Sequence, residues 1–498
     1  MKTHTIISIT LCCCLLLFAS YASIVPVEGS KKTADWPDGE FSGKWVEKND
    51  NTIGSLHGTV NQGRRSTQGV FVAEWNSSDG IHAGQMQGIF KGGLIIGYWQ
   101  NTNTGKKVLF LGTLSFNDTQ FTARVRSLGV GVVEITGVHD LSFLPRLTGS
   151  YGVGVKTMHL IDSSRPENFT NDSNDVREMM VQIWYPIERS TISEQALYMD
   201  PLTFLWLKGR SPVPLFTIPD TAYMFVRPHE RDNAPIAPGM FPVIIFSPGY
   251  DGVYQIYTSF IEDMASHGFV VVSINHPYVS GITVFPDNHT VGLAPVPTDP
   301  AEQAAFFSKS LRVIVQDAKF VLNTTAKMNT SDLEFAGHLD LSHVGMYGHS
   351  FGGANTAVCC YEDSRFLAGL TLDGVFYANF TAGNITRPFF MMVAQARFSN
   401  DSSIQYMWDH ITGDTYKVGI LGSTHYAYTD VGVLLSHLVP LIPPRILGFG
   451  TIAPKRMLNI TRSYVDAFFD VYLKGAPREQ LLALSSVFPE VEIAYKLQ

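Results

Sequence analysis

A serine lies between two glycines at Gly348, Ser350 and Gly352, after a short apolar run and before residues of helical character. Glycine on each side removes the Cβ atoms that would clash in a very tight strand-to-helix turn. Such a turn holds the serine exposed at the top of a sheet and at the positive end of the following helix. Because the Gly-x-Ser-x-Gly pattern also arises by chance, partners elsewhere in the chain must support a nucleophile here.

A serine nucleophile requires a base within hydrogen-bond distance and a third group that orients the base. In hydrolases with this turn, the acid and then the histidine follow the serine along the chain. Asp373 comes directly after the apolar strand predicted at 367–372, and His425 lies in the loop after the last predicted strand, 416–421. Both positions lie beyond strand carboxyl ends, where sites of open α/β sheets form. We therefore predict Ser350, Asp373 and His425 as the catalytic residues.

Other histidines and aspartates in this half of the chain are weaker candidates. The two histidines sit in segments of helical character, and the three aspartates follow no predicted strand: His410, His437, Asp401, Asp409 and Asp414. A lone histidine usually has a structural role, and His425 differs from the others in its position and its neighbours.

The tetrahedral intermediate of acyl transfer needs hydrogen-bond donors for its developing negative charge. The backbone N–H of Phe351, the residue after the predicted nucleophile, is one expected donor. The loop after the strand predicted at 242–247 contains Gly249, which lets the backbone approach a substrate closely. The backbone N–H of Tyr250 is therefore the second predicted donor.

Composition and motifs exclude several other classes of function. The net charge of −8 comes without a basic stripe, which argues against a nucleic-acid partner. The sequence contains no His-Glu-x-x-His motif, no Cys-x-x-Cys pair and no calcium-binding loop. We expect neither a metal ion nor an organic cofactor.

Residues 148–498 have the pattern of an α/β domain. Continuous apolar runs, of the kind that form parallel strands buried on both faces, alternate with segments of helical periodicity. Strands are expected at 179–186, 242–247, 269–274 and 389–393, and helices at 253–267, 304–322 and 455–473. This alternation predicts a mostly parallel, doubly wound sheet of the α/β-hydrolase class.

Residues 35–146 have a β-pattern instead, with short runs separated by turn residues and a loose glycine repeat. We expect an antiparallel meander that forms a small barrel or a sandwich. Its tryptophans could line a groove for sugar or lipid, but filling the core of a small β-domain is the favoured interpretation. They are Trp36, Trp45, Trp75 and Trp99.

The first 22 residues are predicted to be a secretory signal peptide, because an apolar run from Ile6 to Ala19 follows Lys2. An uncleaved membrane anchor is the alternative, because the start carries few positive charges. Outside this leader the chain retains only Cys359 and Cys360, which we expect as buried small residues without a disulfide.

Many Asn-x-Ser/Thr sequences in a chain with a leader support secretion, an extracellular location and N-glycosylation. They start at Asn76, Asn117, Asn168, Asn171, Asn288, Asn323, Asn329, Asn379, Asn384, Asn400 and Asn459.

About two thirds of the chain, residues 148–475, resembles the platelet-activating-factor acetylhydrolase family of lipoprotein-associated, secreted phospholipases. The resemblance runs through segments longer than generic hydrolase motifs: residues 150–154, 246–249, 264–269, 348–353, 365–369, 372–373 and 422–425. It implies the same triad, with Tyr250 and Phe351 as oxyanion donors. It further implies cleavage of short or oxidised sn-2 acyl groups from phospholipids without calcium.

This chain departs from the family pattern in two places. Pro248 and Tyr250 replace the usual histidine and leucine-like residue around Gly249, and the N-terminal β-domain has no counterpart in the family. A broader carboxylesterase, lipase or polyester hydrolase on the same fold is therefore the alternative function. A third possibility is a secreted binding protein with an inert hydrolase domain, against which the intact triad argues.

Two apolar stretches are candidates for peripheral contact with a membrane or lipoprotein surface. Residues 431–447 are apolar and broken by prolines, and core packing is an equally good interpretation of them. Residues 204–208 are the second candidate.

Overall fold

The computed structural model describes residues 39–47, 53–62, 68–78, 83–91, 93–117, 120–127, 131–139, 144–210, 220, 226–374, 376, 384–438 and 444–498. The predicted signal peptide, Trp36 and the sequence starting at Asn379 lie outside these residues. The chain divides into two compact units, Met1–Leu141 and Ser142–Gln498.

The first unit contains a closed antiparallel barrel, so of the two predicted forms the barrel is observed. Each strand pairs with the next in the chain, and the eighth pairs with the first. The strands are β1 (Gly39–Glu47), β2 (Ile53–Gln62), β3 (Gln68–Ser77), β4 (Ala83–Lys91), β5 (Leu94–Asn101), β6 (Lys107–Asn117), β7 (Gln120–Ser127) and β8 (Gly131–His139).

Alternate residues of the barrel strands point inward and form a small apolar core. Gly88 and Gly97 face each other across β4 and β5, and a Cβ on either would lie 2.3 Å from a carbonyl oxygen of the opposite strand. Trp45 is buried in this core, and its ring meets that of Trp75 edge to face at 5.9 Å. Trp99 packs against the same core, so the described tryptophans fit the core-filling interpretation.

The second unit is built on one sheet with the strand order β11-β9-β10-β13-β12-β16-β17-β18-β19-β20. The six strands from β13 to β19 in that order run parallel to one another, and antiparallel strands flank them. The bounds are β9 (Gly152–Pro166), β10 (Val176–Ile187), β11 (Arg231–Asp232), β12 (Phe241–Ser247), β13 (Val270–Asn275), β16 (Leu339–His349), β17 (Phe366–Leu372), β18 (Phe389–Ala394), β19 (Thr415–Ile420) and β20 (Val491–Lys496). A separate hairpin comprises β14 (Ile282–Val284) and β15 (Thr290–Gly292).

Helices cover both faces of this sheet, which confirms the predicted doubly wound α/β class. Along β12, Ile244 and Phe246 join the apolar core on one face, while Val243 and Ile245 join the core on the other. Burial on both faces explains why this strand is apolar throughout. The described α-helices are Pro201–Gly209, Thr258–Ser266, Pro300–Ser331, Phe351–Glu362, Ser402–His410, Val431–Leu438, Pro454–Lys474 and Arg478–Val487.

Two predicted helices differ from the structure in their bounds. The segment expected as one helix at 253–267 is a short 3-10 helix, Tyr254–Tyr257, followed by the α-helix Thr258–Ser266. The helix expected at 304–322 is longer, Pro300–Ser331, and it starts earlier because Asp299 caps its first turn through two backbone N–H groups.

The apolar stretch 431–447 packs mainly into the core where it is described. Val433, Leu434 and Leu435 are buried, whereas Ile446 is exposed. Cys359 and Cys360 are buried free thiols, as predicted. Among the helices that the structure describes, none is both long and apolar enough to cross a bilayer.

Candidate active site

Ser350 sits between the end of β16 and the helix Phe351–Glu362, which we call the elbow helix. Its backbone has φ 54° and ψ −114°, a conformation that costs a non-glycine residue about 1–3 kcal/mol. A Cβ on Gly348 would lie 2.3 Å from the Gly352 carbonyl oxygen, and one on Gly352 would lie 1.9 Å from the Ser247 carbonyl oxygen. The two glycines thus permit the close packing that holds Ser350 in this strained turn.

His425 lies in the loop after β19 and begins a short 3-10 helix, His425–Tyr428. Its Nε2 is 2.9 Å from Ser350 Oγ, and its Nδ1 is 2.5 Å from Asp373 Oδ2. An ionised carboxylate only accepts hydrogen bonds, so Nδ1 carries the proton and Nε2 is left to accept from the serine. The imidazole is one-third exposed, so the predicted base is accessible.

Asp373 follows β17 with a positive φ of 46° and is fully buried. Its Oδ1 accepts hydrogen bonds from Ala394 N (2.9 Å) and Arg397 Nη1 (3.0 Å). Burial alone would raise the pKa of Asp373, but the bond from His425 and the charge of Arg397 outweigh it and lower that pKa. The carboxylate therefore stays ionised and fixed toward His425.

The structure therefore brings the three predicted residues into one hydrogen-bonded row, and none of the competing candidates belongs to that row. His410 Nδ1 bonds the Tyr406 carbonyl, and Asp414 pairs with Arg478. Asp401 caps the helix Ser402–His410. Asp409, on the same helix, is exposed, and His437 lies in the helix Val431–Leu438.

The predicted oxyanion loop, residues 248–250, lies beside the serine. A Cβ on Gly249 would be 3.1 Å from Ser350 Cβ. Phe351 is the first residue of the elbow helix, where backbone N–H groups point outward and favour negative charge. The predicted donors Tyr250 N and Phe351 N therefore belong to segments on either side of Ser350.

Three aromatic rings meet next to this loop. The ring of Tyr250 packs edge to face on Phe307 at 5.2 Å and on Phe351 at 6.1 Å, and Phe307 contacts Phe351 at 6.0 Å. The Tyr250 hydroxyl is buried without a hydrogen-bond partner among the described residues. Burial raises the pKa of this phenol, so it is neutral and can still donate.

Sequence reasoning missed a hydrogen-bonded chain that links the predicted oxyanion loop to the loop that carries His425. Gly249 N–H donates to Tyr257 OH over a long 3.4 Å, and Tyr257 OH lies 2.9 Å from His349 Nδ1. His349 Nε2 is 3.0 Å from the carbonyl oxygen of His425. Burial, with a further contribution from His425, lowers the pKa of His349 to about 3, so this imidazole is neutral.

Arg397 was also missed. It holds Asp373 through both the carboxylate and the carbonyl oxygen, each at 3.0 Å, and is itself fixed by Asp401 at 2.7 Å. No motif marks this arginine, which lies in the 3-10 helix after β18. No signal in the sequence could have identified it, because its contact with Asp373 depends on β18 lying next to β17.

A second group of ligand-type side chains lies apart from Ser350. Potential ligand atoms of Asp263, His267 and Asp466 lie within 4.8 Å of one another. Thr148 already donates to both Asp263 oxygens, at 2.7 and 2.9 Å, and its hydroxyl is 2.8 Å from His267 Nε2. Arg462 Nε lies 3.5 Å from Asp263. These contacts describe a structural network rather than a metal centre.

A known protein family matches much of this chain in sequence. The sequence model of platelet-activating factor acetylhydrolase, isoform II, matches residues 136–291 and 311–474, which is more than half of the chain. The match includes the positions of Ser350, Asp373 and His425.

Two curated relatives are similar at low identity. A probable 1-alkyl-2-acetylglycerophosphocholine esterase of Arthroderma benhamiae is 25% identical over 266 residues, covering 50% of this chain and 65% of the relative. The platelet-activating factor acetylhydrolase of Bos taurus is 25% identical over 338 residues, covering 60% of this chain and 70% of the relative.

Among solved structures, a ferulic acid esterase from Streptomyces cinnamoneus is similar with a TM-score of 0.58 and 27% identity. The match covers 70% of this chain and 98% of that one. This similarity supports an α/β-hydrolase fold for the chain.

Proposed function

This chain belongs to the platelet-activating factor acetylhydrolase, isoform II family, and we propose that it removes the short sn-2 acyl group of phospholipids such as 1-alkyl-2-acetylglycerophosphocholine. It is an ester hydrolase, as its family and relatives are. The observation that carries the proposal is the unbroken row from Ser350 Oγ through His425 to Asp373, with contacts of 2.9 and 2.5 Å.

In the proposed reaction, Ser350 Oγ attacks the ester carbonyl carbon while His425 Nε2 takes the hydroxyl proton. Asp373 holds the imidazole in the required tautomer and stabilises its charged form. The backbone N–H groups of Tyr250 and Phe351 bind the negative carbonyl oxygen of the tetrahedral adduct. His425 then protonates the departing alkoxide, which is released as the lysophospholipid. The acyl group remains bonded to Ser350 Oγ as an acyl-enzyme.

Water completes the cycle. His425 removes one proton from the water as its oxygen attacks the acyl carbon, and the second tetrahedral adduct collapses when the proton passes to Ser350 Oγ. The acyl group leaves as a carboxylic acid. None of these steps requires a metal ion, so the assay is run in chelator, with Ser350→Ala as the control that must lose activity.

A broader carboxylesterase is the second candidate function. Two observations favour it: the similarity to a ferulic acid esterase and the aromatic cluster of Tyr250, Phe307 and Phe351 beside the nucleophile. An enzyme of this kind would cleave headgroup-free esters, feruloyl esters among them, as well as phospholipids. Comparing kcat/KM for p-nitrophenyl acetate, methyl ferulate and the acetyl phospholipid separates the two candidates.

We further propose that the protein is secreted and N-glycosylated. Most described acceptor asparagines are exposed: Asn76, Asn168, Asn171, Asn288, Asn323, Asn384, Asn400 and Asn459. Asn329 is different, because its side-chain oxygen accepts from Gly337 N and Leu339 N, both at 3.0 Å. Glycosidase treatment of protein from the medium should reduce its mass, and mass spectrometry should find Asn329 unmodified.

Peripheral contact with a lipid or lipoprotein surface is a proposal that the helix Pro201–Gly209 supports. Leu205 is exposed on it, and Trp206 is half-buried beside Arg210. Co-sedimentation with phosphatidylcholine vesicles tests this. Leu205→Glu should weaken sedimentation, and unchanged sedimentation would remove this helix from the proposal.

A further inference from the structure

A second serine–histidine–aspartate row lies behind the active site. Ser247 Oγ is 3.0 Å from His276 Nε2, and His276 Nδ1 is 2.9 Å from Asp317 Oδ2. The atoms follow the same order as in the Ser350 row. Ser247, His276 and Asp317, which we call the buried triad, are at most 1% exposed. No substrate can reach this serine, so a second nucleophile is not the explanation.

The charges of the buried triad fix the direction of each hydrogen bond. Asp317 accepts from Arg177 at 3.0 and 2.6 Å and from Arg165 at 2.8 Å. Burial opposes ionisation of Asp317, but the charge of Arg177 outweighs it and holds the pKa of Asp317 well below its usual value. For His276, burial lowers the pKa and outweighs the opposite effect of Asp317.

A neutral His276 therefore donates from Nδ1 to Asp317 and accepts at Nε2 from the Ser247 hydroxyl. The lone pairs of that hydroxyl are used as well, because Asn355 Nδ2 donates to Ser247 Oγ at 3.1 Å. The same Asn355 group also reaches the Ile314 carbonyl at 3.2 Å. Ser247 thus connects the elbow helix, the helix Pro300–Ser331 and the end of β13.

Ser247 is the last residue of β12 and leads directly into the oxyanion loop, residues 248–250. Pro248 has no N–H to donate, so this residue cannot anchor the start of the loop through its backbone amide. The Ser247 carbonyl meanwhile packs so closely on Gly352 that a Cβ there would be 1.9 Å away. The side chain of Ser247 is therefore the polar anchor at the point where the loop meets the elbow helix.

We propose that Ser247, His276 and Asp317 are positioning residues that hold the oxyanion loop in register with Ser350. They act on the reaction through the backbone N–H of Tyr250, three residues after Ser247, and touch no substrate themselves. The inference rests on the proposed function only in assuming acyl transfer through Ser350. It does not depend on which ester is the natural substrate.

The test compares Ser247→Ala with Ser273→Ala. Ser273 lies opposite Phe246 on the neighbouring strand β13, is fully buried, and its hydroxyl has no partner among the described residues. The two changes therefore remove the same group from similar surroundings, but only one removes a hydrogen bond of the buried triad. Activity is measured on p-nitrophenyl acetate, so phospholipid specificity does not enter.

We expect Ser247→Ala to lower kcat about 10- to 100-fold with little change in KM, because a small displacement of the loop costs about this much. The affinity for a reversible trifluoromethyl ketone inhibitor, which forms a tetrahedral adduct, should fall in proportion to kcat/KM. Ser273→Ala should keep wild-type values for both. Ser247→Cys, with a weaker donor of similar size, should fall between wild type and Ser247→Ala.

A purely structural role would give a different result. Ser247→Ala with a lower melting temperature but wild-type kcat and inhibitor affinity would overturn the proposal, as would an equal loss in Ser273→Ala. If Ser247→Ala does not fold, Ser247→Cys alone decides, and wild-type kcat in that variant contradicts the proposal. A wild-type enzyme active on p-nitrophenyl acetate but not on the acetyl phospholipid would refute the proposed function while leaving this test intact.

Discussion

The hydroxyl of Tyr257 lies 2.9 Å from Nδ1 of His349, although the two residues are 92 positions apart in the chain. His349 directly precedes Ser350, the proposed nucleophile, and its other ring nitrogen contacts the backbone carbonyl of His425. A buried, neutral imidazole with a partner on each side thus links the loop of His425 to the 3-10 helix that follows the proposed oxyanion loop.

We predict that Tyr257→Phe lowers kcat by about 3- to 10-fold with KM nearly unchanged. The change removes the bond to His349 Nδ1 and the long contact from Gly249 N–H, which together are worth about one hydrogen bond of ordinary strength. Tyr347→Phe is the matched control, because the Tyr347 hydroxyl is equally buried but has no partner among the described residues. Steady-state kinetics on p-nitrophenyl acetate measures both. Equal activity of the two variants would show that the link to His349 does not contribute.

Asp373→Asn should lower kcat by about 10⁴-fold, because the amide no longer favours the tautomer in which His425 accepts from Ser350. Folding should be retained, since the side chain keeps its shape and Arg397 can still bond its oxygen. Asp409→Asn, on an exposed helix surface, should have wild-type kinetics. A loss of less than tenfold in Asp373→Asn would assign another orienting group to His425.

Gly352→Ala should destabilise the fold by about 3 kcal/mol or more, at the upper end of overpacking effects, since its Cβ would lie 1.9 Å from a backbone oxygen. Gly209→Ala is the control, because a Cβ there would have no neighbour within 4 Å. Urea unfolding followed by circular dichroism gives both values. Equal midpoints for the two variants would refute the packing described for the elbow.

We predict that the carboxyl group of Asp430 makes the folding stability of the protein depend on pH. It is fully buried, which raises its pKa to about 7 despite hydrogen bonds from Ser259, with the negative charge of Glu262 adding to the rise. Because the folded state binds this proton more tightly than the unfolded state, the contribution to stability is complete below about pH 4 and is lost as the pH rises to about 7.

The melting temperature of the wild type should therefore fall more steeply from pH 5 to pH 8 than that of Asp430→Asn. Differential scanning calorimetry at several pH values measures both slopes, with Asp409→Asn as a surface control that keeps the wild-type slope. An unchanged slope in Asp430→Asn would mean that Asp430 titrates normally in the folded protein.

Ser350, Asp373 and His425 could be predicted as neighbours because a local signal in the sequence marked each of them. Glycines flank the serine, an apolar strand precedes Asp373, and a second strand end precedes His425. The carboxyl ends of parallel strands lie at one edge of the sheet. Finding each residue directly after a strand or at its end was therefore enough to predict that the three lie close together. The α/β class followed from the same alternation of apolar and helical segments.

Other features could not be predicted, because they depend on contacts between elements far apart in sequence. Arg397 contacts Asp373 only because β18 lies next to β17, and the buried triad joins the end of β12 to the middle of a helix. The choice between barrel and sandwich depended on the pairing of β8 with β1, which no local pattern reveals. Periodicity likewise does not give the strand order of the large sheet.

The most direct test of the central claim is hydrolysis of a phosphocholine lipid with an sn-2 acetyl group beside its long-acyl analogue, in chelator, with Ser350→Ala as control. We expect a kcat/KM at least about 100-fold higher for the acetyl lipid, about 2.7 kcal/mol in transition-state stabilisation, and loss of both activities in Ser350→Ala. Equal rates on the two lipids would contradict the acyl preference, and undiminished activity of Ser350→Ala would contradict the proposed mechanism itself.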